Sequence, residues 1–155
     1  MAGPALRVGI VSDTHGSLSR EASARLAGVD HILHAGDVGS AAVLGELEAI
    51  APTTAVRGNM DAGPVVGALP AVADVTLGGV RFLVGHVRGR LTARGAPDGV
   101  RVVVTGHTHV AEIESAHGVI FVNPGSASRP PDDALPTIAL ALVEDGDVTV
   151  RIVTV

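Results

Sequence analysis

Four of the short apolar runs in this chain lead into a glycine followed by a side chain able to bind a metal: Gly36-Asp37, Gly58-Asn59, Gly85-His86 and Gly106-His107. Each pair closes a short apolar run. Two further stretches repeat a two-residue spacing, Asp13-Thr14-His15 after "RVGIV" and His107-Thr108-His109 after "RVVVT". Taken singly, Gly-Asp and Gly-Asn are ordinary turn dipeptides, and a lone histidine at a strand end is more often solvated than ligating. Yet four of the seven histidines stand at these positions with two aspartates and an asparagine, and independent chance does not account for that combination. Asp13, His15, Asp37, Asn59, His86, His107 and His109 can meet in one place. Imidazole nitrogens with carboxylate and amide oxygens suit borderline divalent ions such as Mn, Fe, Zn, Ni or Co better than Ca or Mg. Thiolate clusters are excluded, because the chain has no cysteine. Seven ligands exceed what one tetrahedral ion uses, whereas two ions about 3.5 to 4 Å apart would share them through one bridging carboxylate. A two-metal hydrolytic site is the implied chemistry, and two divalent ions against two aspartates and a hydroxide leave a net positive charge for a phosphodiester anion. His31, His34 and His117 lie in or near a strand or in a hairpin turn and receive no role.

Such a site needs elements that bring the run ends together. The runs "RVGIV", "VDHILHA", "TTAVR", "DVTL", "VRFLV" and "RVVVT" are short, Val-rich and strand-like. Between the first three lie "SREASARLAG" and "SAAVLGELEAI", apolar at helical spacing with a serine to cap each start. This predicts a β-α-β-α-β opening with parallel neighbours joined in the right-handed sense. Farther on, Gly78-Gly79, Ala116 to Gly118 and Asp145-Gly146 predict hairpins, and hence an antiparallel region. The pattern predicts an α/β fold of two mixed sheets packed face to face, helices on the outer faces, in a single domain spanning residues 1–155. In open α/β sheets ligands sit at the C-terminal edge, and glycine permits the sharp departure of the chain there. Alternate side chains of Asp13-Thr14-His15 and of His107-Thr108-His109 are expected to point the same way, as on a strand. The stretch "SRPPDDALP" reads as a surface loop.

Composition bounds the alternatives. At 155 residues one compact domain is the working size. No uninterrupted apolar segment approaches the ~20 residues a membrane helix requires, and "MAGPALR" lacks the basic and apolar regions of a secretory signal. A cytoplasmic protein without membrane attachment is expected. The formal charge is -5 and no basic run occurs, which argues against stable nucleic-acid binding. All eleven cationic residues are arginine, and Trp and Tyr are absent. That leaves no aromatic platform beyond Phe82 and Phe121, both in apolar runs.

The ordered set "DTH", "GDV", "GNMD", "GH", "GHTH" and "NPGS" resembles the calcineurin-like metallophosphoesterases, in their small bacterial and archaeal phosphodiesterase branch. The resemblance runs from about Arg7 to the C-terminus. It implies the αββα sandwich of the metallo-dependent phosphatase fold. It also implies a ligand assignment: Asp13, His15 and His109 on one metal, Asn59, His86 and His107 on the other, Asp37 bridging. A hydroxide between the metals would attack phosphorus in line, with manganese the first expectation for the ion. Asp37, Asn59 and His86 thereby enter the catalytic set. Asp61, two residues past Asn59, is implied as a carboxylate supporting the ligands from behind.

Two departures from the family pattern carry consequences. Larger relatives place a histidine after the Gly-Asn to protonate the leaving group, and here Met60 stands there. Members of the small branch commonly read "HGH" in the fourth block, and here it reads His86-Val87-Arg88. Arg88 is a candidate cation for a phosphate oxygen, since guanidinium matches phosphate geometry; the alternative is a surface arginine beside Arg90 and Arg94. Asn123, Gly125 and Ser126 are expected to serve packing and turns. The leading expectation is a dinuclear phosphodiesterase acting on a small phosphoester. A phosphomonoesterase or nucleotidase would use the same site, and a scaffold like the retromer subunit of this fold is the rival from another class. The sequence is compatible with a homo-oligomer.

Overall fold

The computed structural model describes residues 3–155; Met1 and Ala2 of the opening stretch lie outside them. The predicted β-α-β-α-β opening is present as β1 (Leu6–Val11), α1 (Arg20–Leu26), β2 (His31–His34), α2 (Ala41–Ile50) and β3 (Thr53–Ala55). Both helices start where their serines allow. Ser19 Oγ accepts from the Ala22 amide at 3.0 Å and Ser40 Oγ from the Val43 amide at 3.4 Å, each satisfying one amide that the first helical turn leaves free. The three strands run parallel, with Val8 opposite His31 and Ile32 opposite Thr53.

The second half supplies β4 (Val72–Leu77), β5 (Val80–Gly85), a single-turn α3 (Arg88–Leu91), β6 (Val100–Val104), β7 (Ala111–Ala116), β8 (Val119–Pro124), β9 (Thr137–Glu144) and β10 (Asp147–Thr154). The two sheets have the orders β10-β9-β1-β2-β3 and β4-β5-β6-β8-β7. The three hairpins are β4-β5, β7-β8 and β9-β10, all antiparallel. The second half is nevertheless not simply antiparallel, because β5, β6 and β8 are parallel neighbours. The segment through α3 carries the chain back between β5 and β6, as a parallel pair requires. As a result Gly85-His86 and Gly106-His107 both leave C-terminal strand ends.

Alternation along the strands separates two faces. Val8, Ile10 and Leu33 from the first sheet meet Phe82, Val84, Val102, Val104 and Val122 from the second in a buried layer. The other face of the first sheet, with Ile32 and Ile138, is covered by Leu26 of α1 and by Val43 and Leu47 of α2. The second sheet's outer face has a thinner cover: Leu83, Val100 and Val103 pack under Leu91, Ala96 and Phe121. The sandwich thus carries two regular helices on one side, and α3 with the loop behind it on the other.

Candidate metal centre

The ends of β1, β2, β3, β5 and β6 converge on one cluster. His109 Nε2 lies 3.2 Å from Asp13 Oδ1 and 3.2 Å from His15 Nε2. On the other side His86 Nε2 lies 3.3 Å from Asp37 Oδ2 and 3.0 Å from Asn59 Oδ1. His107 Nδ1 approaches the same Asn59 oxygen at 3.1 Å. Asp37 Oδ2 faces both halves, since His15 Nε2 is 3.8 Å away. Asp13, His15 and His109 form one group with converging ligand atoms, and Asp13, Asp37 and His86 form another. All seven residues singled out in the sequence are therefore brought together.

The side chains do not get there by strand alternation. β1 stops at Val11 and β6 at Val104, and Asp13, His15, Asp37, His107 and His109 all have positive φ, between 47° and 73°. The expected strand-like spacing is replaced by left-handed turns, which Asp and His tolerate better than most residues. Asp13, Asp37 and His86 end up buried.

The glycines make room. A Cβ on Gly58 would collide with the Asp37 carboxylate, and one on Gly106 with Ser12 Oγ and the Asp13 carboxylate. Gly36 has φ +100°, and a Cβ there would sit 2.7 Å from His86 Nδ1. Gly85 differs: its neighbour would be the Leu91 side chain at 2.9 Å, so it packs against α3 and not against the cluster.

Backbone carbonyls fix which ring nitrogen faces inward. His86 Nδ1–H donates to the Ala35 carbonyl at 2.7 Å, and His109 Nδ1–H donates to the Arg129 carbonyl at 2.5 Å. In the neutral form each ring then turns its Nε2 lone pair toward the carboxylates, the tautomer a metal ligand needs. Burial holds the His15 imidazole below its usual pKa, against the pull of Asp37 and Asp13 and with help from Arg129 and His109. Asp13 Oδ2 accepts from Ser12 Oγ at 2.6 Å and from the His107 amide at 3.0 Å. Asp13 Oδ1 is buried with no hydrogen-bond partner. Lone pairs aimed at an unpartnered buried carboxylate oxygen repel one another, and a cation placed among them removes the penalty. The donor set fits a divalent metal.

Supporting residues surround this cluster. The Asp61 carboxylate accepts amide hydrogens from Val38 at 3.1 Å, Gly39 at 2.9 Å and Gly58 at 2.9 Å. It ties the Asp37 loop to the Asn59 loop through backbone. Met60 exposes its side chain at the rim, while its amide donates to Asp37 Oδ1 at 2.8 Å. Ser126 Oγ donates to the Asp13 carbonyl at 2.7 Å, and Asn123 Nδ2 to the Gly106 carbonyl at 2.9 Å. Those two residues hold the turns, as their motif suggests. Arg88 stands apart from the seven. Its Nη1 donates to Glu114 at 2.9 Å and its guanidinium stacks 4.3 Å above Phe121, so the expected free cation is already paired. To reach a phosphate it would have to exchange Glu114.

His34, given no role from sequence, is fully buried behind the site. Its Nδ1 accepts from the Gly36 amide at 3.1 Å. Its Nε2–H then donates to Thr14 Oγ1 at 3.0 Å, and Thr14 donates to the Val38 carbonyl at 2.9 Å. The signal was its place between Leu33 and Ala35 in an apolar strand, where an imidazole needs partners. Arg129 was also missed; nothing in "SASRPP" marks a residue whose carbonyl orients a histidine.

Comparison with known proteins bears on the family and the fold. Residues 6–146 match the model of the calcineurin-like phosphoesterase superfamily domain. A probable metallophosphoesterase of Methanocaldococcus jannaschii is 31% identical, the match covering 83% of this chain and 71% of that protein. Three solved structures share the fold. One is a conserved uncharacterized protein of Streptococcus pneumoniae, described as a predicted phosphoesterase, at 23% identity and TM-score 0.79, covering 98% of this chain and 91% of the other. Another, described as a novel archaeal phosphodiesterase, has 24% identity and TM-score 0.78, covering 96% and 100%. The third is Vps29 of Entamoeba histolytica complexed with zinc, at 21% identity and TM-score 0.72, covering 96% and 99%. With the family model matched over residues 6–146 and the motif residues gathered where the C-terminal strand ends of the two sheets meet, the chain belongs to the calcineurin-like phosphoesterase superfamily.

Proposed function

We propose that this protein is a dinuclear metal-dependent phosphodiesterase, with manganese as its first candidate ion. The observation that carries the reading is the convergence of three inward-facing imidazole Nε2 atoms on the buried, unpartnered Asp13 Oδ1. Asp13, His15 and His109 would hold one ion and Asn59, His86 and His107 the other, with Asp37 between them. Two ions held by these residues would supply charge neutralisation at the phosphoryl group and would lower the pKa of a water toward neutrality. The protein's own part is to fix the ligands. Ala35 and Arg129 carbonyls lock two rings, and Asp61 fixes the distance between the two ligand loops.

Met60 has no proton to give to a leaving alkoxide. That favours diesters and esters with good leaving groups over alkyl phosphomonoesters, because the chain offers no general acid at that position. Vps29 shares the fold, and a scaffold role is the competing reading; the complete ligand set favours the enzyme. The test is a hydrolysis screen of metals against diester and monoester panels, with Asp37→Ala as the control. Manganese-dependent turnover of diesters, at least tenfold above alkyl monoesters and lost in D37A, is expected. Monoester rates equal to diester rates would replace the phosphodiesterase reading with the phosphomonoesterase one. A protein that binds no divalent ion and hydrolyses nothing after manganese addition would return it to the scaffold class.

A further inference from the structure

A cleft of about 250 Å³ opens directly beside the candidate centre, sharing Asn59 and His86 with it. Its walls carry two arginines, Arg57 and Arg90, and no carboxylate, in a protein whose formal charge is -5. Neither guanidinium has an acidic partner among the described residues: the arginines in ion pairs are Arg81, Arg88 and Arg101. Arg57 is steadied at its base, with its amide donating to the Pro70 carbonyl at 2.9 Å and Nη1 reaching the Leu69 carbonyl at 3.4 Å. Arg90 projects from α3, four residues after His86. The lining also includes the apolar side chains of Val72 and Leu91, with Val72 49% exposed.

We infer that this cleft is a substrate subsite for a second anionic group, so that the preferred substrates are phosphodiesters whose alcohol portion carries an additional phosphate or carboxylate. This deepens the phosphodiesterase reading and rests on it. Arginine side chains present planar, forked donors that match phosphate and carboxylate oxygens. A cation kept without a carboxylate beside it in an acidic protein is a local well for an anion, and a partly enclosed cleft concentrates its field. The apolar part of the lining then accommodates the body of the alcohol between the two charged groups. Arg88, by contrast, spends its charge on Glu114.

The test compares two diesters that differ only in the second charge: thymidine 5′-(4-nitrophenyl phosphate) and the same compound bearing a 3′-phosphate. With the manganese-loaded full chain at low ionic strength, kcat/KM is expected to be about tenfold or more higher for the 3′-phosphorylated diester, mainly through KM. Arg57→Gln and Arg90→Gln should each lower that ratio, and the double variant should bring it within twofold of one. Arg25→Gln, on the exposed face of α1, should keep it. A ratio near one in the wild type, or one unchanged in the double variant, overturns the subsite. Calorimetric titration of the metal-free protein with thymidine 3′,5′-bisphosphate and with thymidine 5′-monophosphate separates this inference from the one beneath it. Tighter, Arg57- and Arg90-dependent binding of the bisphosphate without hydrolysis of either diester would uphold the subsite while the phosphodiesterase reading failed. Equal binding of the two nucleotides would overturn the subsite whatever the turnover.

Discussion

Among the described residues, Asp13 Oδ1 is the buried side-chain oxygen left without a hydrogen-bond partner. Oδ2 of the same carboxylate has two donors, while Oδ1 faces His109 Nε2 at 3.2 Å. Two acceptors at that distance are unfavourable, and an unsatisfied buried oxygen costs about 1 to 3 kcal/mol. Asp13→Asn would place an amide N–H where Oδ1 now stands, able to donate to His109, while its oxygen keeps the Ser12 and His107 bonds. Asn also accepts the positive φ of 53° at this position. The metal-free variant is therefore expected to be as stable as the wild type or about 1 kcal/mol more stable, yet to lose the rise in melting temperature that manganese is expected to give the wild type. Paired thermal melts with EDTA and with manganese read both effects. A D13N protein much less stable in EDTA would show that the carboxylate is satisfied without a metal. Asp13 and its six companions were legible in the sequence because chemistry restricts which residue types can ligate. Their left-handed backbone was not, because Asp-Thr-His spells a turn and a strand end equally well.

At the scale of elements, the strands and their order of appearance follow from alternation and hairpin dipeptides, and all ten patterned segments form strands. Pairing was harder to read. β5 to β6 could be placed as a parallel pair only once the chain between them was known to cross over, and α3 is a single turn with no helical periodicity to reveal it. The glycines illustrate the same division. Their recurrence before ligand positions was visible, but the reason differs from site to site and lies in three-dimensional contacts. Gly58 and Gly106 have no room for a methyl group, because carboxylates of other strand ends occupy the space. Gly58→Ala and Gly106→Ala should each cost about 1 to 3 kcal/mol through overpacking and weaken manganese binding at least tenfold by displacing Asp37 or Asp13. Gly85→Ala meets only the movable end of Leu91, and should keep metal affinity within about threefold. Urea denaturation and metal titration of the three variants check the order. Equal metal loss at Gly85 would mean that the glycines serve strand-end geometry in common and not local clearance.

The whole molecule's response to acid follows from histidines that the fold keeps neutral. Desolvation lowers the His34 pKa from 6.5 to about 3, with Asp61 opposing and His86 and His15 assisting. Burial also lowers His15 and His31. For each of these groups the unfolded chain binds a proton before the folded one does, so their contribution to stability is complete above about pH 6.5 and is lost as pH falls. For His34 that loss continues down to its folded value of about 3. The structure supplies the reason in bonds: protonating Nδ1 would leave the Gly36 amide without its acceptor and place a charge in the core beneath the Asp37 loop. Between pH 7.5 and 4.5, His34 alone should remove about 2.7 kcal/mol, a large share of the roughly 5 to 15 kcal/mol typical of a domain. His34→Asn keeps an acceptor for the Gly36 amide but cannot titrate. It should be about 1 to 2 kcal/mol less stable at pH 7.5 for loss of the Thr14 bond and of packing, and its stability should change about 2.7 kcal/mol less than the wild type's between the two pH values. Urea denaturation in EDTA at both pH values measures this, the chelator removing metal-linked proton release from the comparison. An undiminished pH dependence in H34N would move the acid sensitivity from this buried chain of Gly36, His34, Thr14 and Val38 to the exposed side of the ligand cluster.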